Sequence, residues 1–178
     1  MYSILSFMAN QWRPYFIQSH FKSPIDFFAR RIHFVDHIAP VWNKLESSAL
    51  RGKFYVPASL KTYAESLGCT NVVELTHPRG EMYVVPPGRG PLVTCAQGDI
   101  IQASKGGGRP YILMEHGVGL IFPRFAGYAG GLGMRRYVCL FLPPNEIVRK
   151  KTEVTFPDAY QVVIGTPNKF HAPYAIGF

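Results

Sequence analysis

From Arg31 onward, short apolar runs alternate with segments in which apolar residues recur at helical spacing. Ile32-His33-Phe34-Val35 reads as a strand, and Asp36 is placed to cap the helix that follows. In that helix Ile38, Val41, Trp42, Leu45 and Ala49 fall at i, i+3, i+4, i+7 and i+11, on one apolar face. Pro40 would sit in its first turn, where a missing N–H does little harm. Arg51-Gly52 breaks the pattern, and Phe54-Tyr55-Val56 reads as a second strand. Ser59 is placed to cap another helix with Leu60, Tyr63, Ala64 and Leu67 on one face and Gly68 as its stop. Residues 71–75 make a third strand. The resulting β-α-β-α-β order predicts a parallel sheet covered by helices.

Further along, the loop Pro86-Pro87-Gly88-Arg89-Gly90-Pro91 leads to a strand over 92–96 and a short helix after Asp99. A turn at 105–110 precedes Tyr111-Ile112-Leu113-Met114, a run with no polar position, as expected of a strand buried on both faces. A glycine-rich stretch occupies 116–136. Residues 137–142 form another strand, Asn145 caps a short basic helix through Lys151, and 161–164 form the last strand. The expected fold is α/β, a Rossmann-like parallel sheet with helices on both faces. Residues 1–30 read as an irregular or partly helical lead-in, 31–167 as the Rossmann-like domain, and 168–178 as a linker or tail.

Composition narrows the class. Hydrophobic residues make up 47% of the 178 and charged residues 17%, which is incompatible with a disordered tail. No run is long and apolar enough for a membrane span. The opening residues lack the basic flank and small-residue cleavage site of a secretory signal. Cys69, Cys95 and Cys139 are odd in number and far apart, with no CxxC pair. This favours a reducing, cytoplasmic setting over a disulfide framework or a zinc site. Cys95 and Cys139 fall inside apolar strands and read as small core residues.

The net charge of +8 suits phosphate-bearing ligands, or is simply a solvated basic face. Its carriers, Arg30-Arg31, Arg135-Arg136 and Arg149-Lys150-Lys151, are dispersed. With no contiguous basic helix and no RNP-type aromatic motif, nucleic acid is a disfavoured partner.

In an open parallel sheet ligands bind beyond the carboxyl ends of the strands. On this strand assignment those ends carry Asp36-His37, Asp99, Glu115-His116-Gly117, Asn145 and Gly165-Thr166. Asp36, Asp99 and Asn145 serve equally well as helix N-caps. His116 is the sharpest candidate, since it follows a buried strand and opens a glycine-rich loop. A neutral imidazole there can take the proton of an attacking hydroxyl. Glu115 is placed to orient that ring or to face the other way. The loop that contains Gly130, Gly131 and Arg135 could bring backbone amides and a guanidinium to a phosphate, or be a plain surface loop. There is no GxGxxG after the first strand, no phosphate-binding GxxxxGK[ST], no GxSxG and no HExxH. Nucleotide-cofactor, metal and serine chemistry therefore have no motif to support them.

Three segments carry a family resemblance. Residues 111–119 (YILMEHGVG), Tyr128-Ala129-Gly130-Gly131 and residues 140–146 (LFLPPNE) resemble the N-terminal half of GT-B glycosyltransferases. Among those enzymes the segments resemble the CDP-glycerol glycerophosphotransferases of teichoic acid synthesis and their phage and actinobacterial relatives. Residues 32–45 resemble the first strand and helix of that family, and residues 162–167 the strand leading to its interdomain linker.

The resemblance implies that His116, with Gly117 beside it, is the base that deprotonates the acceptor hydroxyl. It implies a nucleotide-diphosphate donor (CDP-glycerol or a nucleotide sugar) and a phosphate-rich or polyol acceptor. Asp36, His37, Asp99, Glu115, Gly130, Gly131 and Arg135 become substrate-binding candidates, with neither metal nor cofactor needed. A second Rossmann-like domain or subunit would supply the donor side, and the work would be done at the cytoplasmic face of the membrane. The alternative is a non-catalytic module that binds a phosphate, a nucleotide or a partner protein.

Overall fold

The computed structural model describes residues 23–45, 48–76, 83–96, 99–100, 109–115, 137–153, 156 and 159–164. Among them are seven strands: β1 (Ile25–Phe28), β2 (Arg51–Pro57), β3 (Val72–Leu75), β4 (Leu92–Thr94), β5 (Tyr111–Met114), β6 (Val138–Leu142) and β7 (Tyr160–Gln161). They form one sheet in the order β3-β2-β1-β4-β5-β6-β7. Every neighbouring pair is parallel. This is the Rossmann-like α/β arrangement that the sequence pattern predicts, with the strand order of doubly wound sheets. No helix among the described residues is long and apolar enough to cross a membrane.

Helices cover both faces. Helices α1 (Ile32–Lys44) and α2 (Lys61–Ser66) connect β1 to β2 and β2 to β3. The apolar face of α1 packs Val35, Ile38 and Trp42 against Phe27 and Phe54. Trp42 meets both rings edge-on, at centroid distances of 5.1 and 5.5 Å, the arrangement that the ring quadrupole favours. On the opposite face Phe28, Tyr111, Leu113 and Phe141 lie under Val148 of α3 (Glu146–Thr152) and under Phe156. Successive strand residues thus enter opposite cores: Phe27 one, Phe28 the other. That explains why the central strands carry no polar alternation.

Several sequence expectations change. The strand expected at Ile32–Val35 is the first turn of α1. Phe and Val there favour a strand, but Phe34, Val35, Ile38, Ala39 and Trp42 continue a single helical face, and tertiary burial outweighs propensity. Asp36 is consequently no cap, and Pro40 lies well inside the helix rather than in its first turn. The true first strand, β1, falls within the segment read as a lead-in. Ser59 sits in a 3-10 turn, and Leu60 occupies the N-cap of α2.

Two other signals hold. Gly68 ends α2 at φ 84°, a left-handed conformation in which glycine escapes the Cβ clash, and Cys69 N–H reaches back to Ala64 O at 3.1 Å. Asn145 caps α3 by accepting from Val148 N–H at 2.9 Å. The last strand begins at Tyr160, and backbone bonds from Val162 to Phe141 and from Ile164 to Pro143 extend its pairing. Tyr160, Val162 and Ile164 alternate along this outer strand as exposed apolar residues.

The amino edge of the sheet is closed by a polar clamp. Between the β1 and β2 registers Ile25↔Arg51 and Phe27↔Phe54, β2 carries one extra residue. Asp26 accepts the Lys53 N–H of that bulge at 2.7 Å. The other oxygen of Asp26 accepts from Arg109 Nη2 at 2.8 Å. Arg109 also donates to Gly90 O at 2.7 Å and to Pro91 O at 3.2 Å. Close approach here requires glycine, because a Cβ on Gly90 would stand 1.8 Å from Pro24 O. Gly90→Ala is therefore expected to cost about 1–3 kcal/mol, as overpacking does, and thermal unfolding measures it. An unchanged midpoint would mean that the segment from Pro86 to Pro91 can move away freely.

Candidate functional site

The chain runs from β1 toward β2 on one side and from β4 toward β5 on the other, so the strand order reverses between β1 and β4. A crevice opens beyond the carboxyl ends of strands at such a point. Among the described residues this rim holds Ala29-Arg30-Arg31 after β1, Cys95-Ala96 and Asp99 after β4, and Glu115 after β5. The register pairs Phe28 with Thr94 and Thr94 with Leu113, which places these strand ends level.

An ion pair spans the reversal. Arg30 donates through Nε to Oδ1 of Asp99. The Asp99 side chain is fully buried and that of Arg30 is 22% exposed. Asp99 N–H donates to Ala96 O at 2.9 Å, which closes the turn that carries the carboxylate inward. A buried carboxylate needs a partner of this kind, and Arg30 supplies it from across the crevice.

Arg30 and Arg31 precede α1, whose N-cap is Arg31 in extended backbone with no side-chain cap and no acidic residue in the first turn. Two cations beside the positive end of a helix are unfavourable unless negative charge lies close. Asp99 provides one such charge.

The rim thiol is inert by construction. Cys95 is buried, with its Sγ 3.8 Å from Phe34 O. Burial pushes its pKa well above the ordinary thiol value, and the charges of Asp99 and Glu115 push the same way. Burial raises Cys69 to about 11. A thiol whose folded pKa is raised favours folding below its unfolded value and loses that contribution as pH climbs toward the folded one. Stability is therefore expected to fall on the order of 1 kcal/mol as pH rises from about 9 toward 11. Urea midpoints at pH 8 and 10.5 measure the effect. Cys69→Ala should reduce the drop, with Cys95 carrying part of the remainder, and an equal drop in that variant would assign the loss to other groups.

Of the residues expected at the site, the structure brings Asp99 and Glu115 to the rim. Glu115 N–H donates to Leu142 O at 3.1 Å, so the parallel pairing of β5 with β6 continues to the point where the chain leaves the sheet. Asp36 and His37 are not at a strand end. Both lie inside α1, where Asp36 is exposed and accepts from Tyr63 Oη, and His37 is buried. The expectation placed them beyond a strand at 32–35 that is in fact helix. His116, Gly117, Gly130, Gly131 and Arg135 lie outside the described residues.

Arg30 was missed, because residues 1–30 read as a lead-in. The signal was present as an apolar run, Ile25 to Ala29, followed by paired arginines and a helix. Among the described residues no three His, Cys, Asp or Glu side chains come together as a metal site requires.

No protein-family model, curated protein or solved structure matches the chain. The transferase resemblance accordingly rests on the sequence segments that carry it, beside a fold of the type it implies.

Proposed function

We propose that this chain is the acceptor-side domain of a GT-B-type glycosyltransferase or CDP-glycerol-type glycerophosphotransferase. In this reading His116 activates an acceptor hydroxyl for attack on a nucleotide-diphosphate donor. One observation supports it: β5, next to β4 beside the reversal of strand order, ends at the carboxyl rim with Glu115, the residue that precedes His116 and Gly117 in the sequence. The imidazole takes the hydroxyl proton as the acceptor oxygen bonds either to the anomeric carbon of a nucleotide sugar, whose bond to the nucleoside diphosphate breaks, or to the glycerol-bearing phosphorus of CDP-glycerol, whose pyrophosphate bond breaks to release CMP. The Rossmann-like sheet agrees with the fold that the resemblance implies. The exposed apolar residues Tyr160, Val162 and Ile164 suit a chain that meets a second domain or subunit carrying the donor side, since exposed apolar patches commonly mark interfaces.

The test uses the native gene product purified from its own source. It is incubated with CDP-glycerol and nucleotide sugars, with and without polyol and polyol-phosphate acceptors. Acceptor-dependent release of nucleotide is the expected result. Absence of transfer together with saturable nucleotide binding would favour the second reading, a non-catalytic phosphate- or nucleotide-binding module. That reading draws on the two arginines at the uncapped start of α1.

A further inference from the structure

We propose that Arg30 is an oxyanion-binding residue, which presents the outer edge of its guanidinium to a phosphate group in the crevice between the ends of β1 and β4. The proposal rests on this rim being the ligand-binding edge, and not on the chemistry assigned to His116.

Asp99 engages Arg30 through Nε alone, and neither Nη group makes a hydrogen bond among the described residues. Arginine offers five donors in a planar fork. With Nε fixed, the Nη1–Nη2 edge keeps the spacing that matches two oxygens of a phosphate. The side chain is neither buried nor loose: it is 22% exposed, and it is tethered to a carboxylate with no exposure. Such tethering lowers the entropy cost of ordering the side chain when a ligand arrives.

The surroundings favour the same ligand class. Arg31 follows at once, and the first-turn amides of α1 have no acidic side chain against them. Glu115, the other rim carboxylate, stands beyond β4 at the end of β5. The opposite edge of the sheet is filled by the Arg109 clamp, whose guanidinium is 3% exposed. Among the described residues, Arg30 pairs with Asp99 at this rim while still partly exposed, whereas Arg109 at the other edge is buried with its Nη1 packed close to Gly88.

The shared chemistry is a phosphate oxyanion, which a nucleotide-diphosphate donor or a phosphorylated acceptor could supply. Pyrophosphate, CDP and glycerol 3-phosphate are titrated by calorimetry into the intact chain. At least one is expected to bind, and Arg30→Ala should weaken it roughly 10–100-fold, as loss of a charge-assisted bidentate contact does. Arg30→Lys, which keeps the charge for Asp99 but not the fork, should recover only part of the affinity. It also stands in if the alanine variant fails to fold. Arg149→Ala on α3 should bind as the parent does. Preference for CDP assigns the phosphate to the donor, and preference for glycerol 3-phosphate assigns it to the acceptor.

The proposal is overturned if none of the three binds at millimolar concentration. It is equally overturned if a folded Arg30→Ala or Arg30→Lys variant binds as tightly as the parent. A chain that binds through Arg30 but transfers nothing would retain this proposal while removing the catalytic reading.

Discussion

Replacing His116 with alanine is expected to lower acceptor-dependent transfer about 10²–10⁴-fold, the usual cost of losing a general base. The thermal unfolding midpoint should hardly move. β5 is buried from Tyr111 to Met114 and Glu115 after it is half-buried, so the buried apolar contacts described for this strand belong to residues 111–114. KM for the donor should be little affected, because the proton leaves the acceptor and not the nucleotide. Turnover within a few-fold of the parent would remove His116 as the base. A loss of turnover accompanied by unfolding would assign it a structural role instead.

Replacing Arg109 with alanine is expected to have the largest effect on stability. Its side chain closes three bonds at the amino edge, to Asp26, Gly90 and Pro91. Truncation would leave the Asp26 carboxylate, 13% exposed, with only the Lys53 amide. Removing one partner of a buried pair costs about 3–5 kcal/mol. For a chain of this size that is roughly a 6–20 °C drop in unfolding midpoint.

Arg109 Nη1 has no partner among the described residues and packs close to Gly88, and Tyr111 Oη is likewise buried without one. Burial pushes Tyr111 to about 12. The clamp therefore already leaves polar atoms uncompensated, and an uncharged replacement of the whole pair has room to recover stability. Asp26→Asn combined with Arg109→Met should restore part of what Arg109→Ala loses. If Arg109→Ala melts within two degrees of the parent, the sheet does not depend on the clamp.

The elements legible in the sequence are those whose signals are local. Gly68 stops α2 and Asn145 caps α3 through contacts a few residues away. The buried run Tyr111–Met114 needs only its own composition to read as a strand. Residues 32–35 failed because Phe and Val suit either structure, and the choice is made by Phe27 and Phe54 packing on the α1 face. β1 failed because it is only four residues long, with Phe27 and Phe28 buried side by side on opposite faces and no run long enough to show alternation.

The rim divides along the same line. Asp99 and Glu115 could be placed from the strands that precede them. Arg30 could not, since its partner lies across the crevice in a pairing that only the strand order creates. The extra residue in β2 was equally hidden. Gly52 reads as a helix breaker, yet it is a bulge site whose missing Cβ makes room for Asp26 Oδ1.

The central position of β1 has a consequence for how the chain is made. β1 pairs on one side with β2, which follows soon after it. On the other side it pairs with β4, whose Thr94 lies opposite Phe28. A nascent chain synthesised as far as Leu75 holds β1, β2 and β3 but offers β1 as a bare edge, with the aromatic side chain of Phe28 uncovered. At about 5–20 residues per second, the interval before Thr94 emerges is roughly 1–4 s, and Arg109 follows later still. During that window the middle of the future sheet is its most adhesive margin. The crevice at the reversal of strand order comes into existence only when β4 docks, so this candidate edge forms after β1, β2 and β3 have been made and before β5, β6 and β7 complete the sheet.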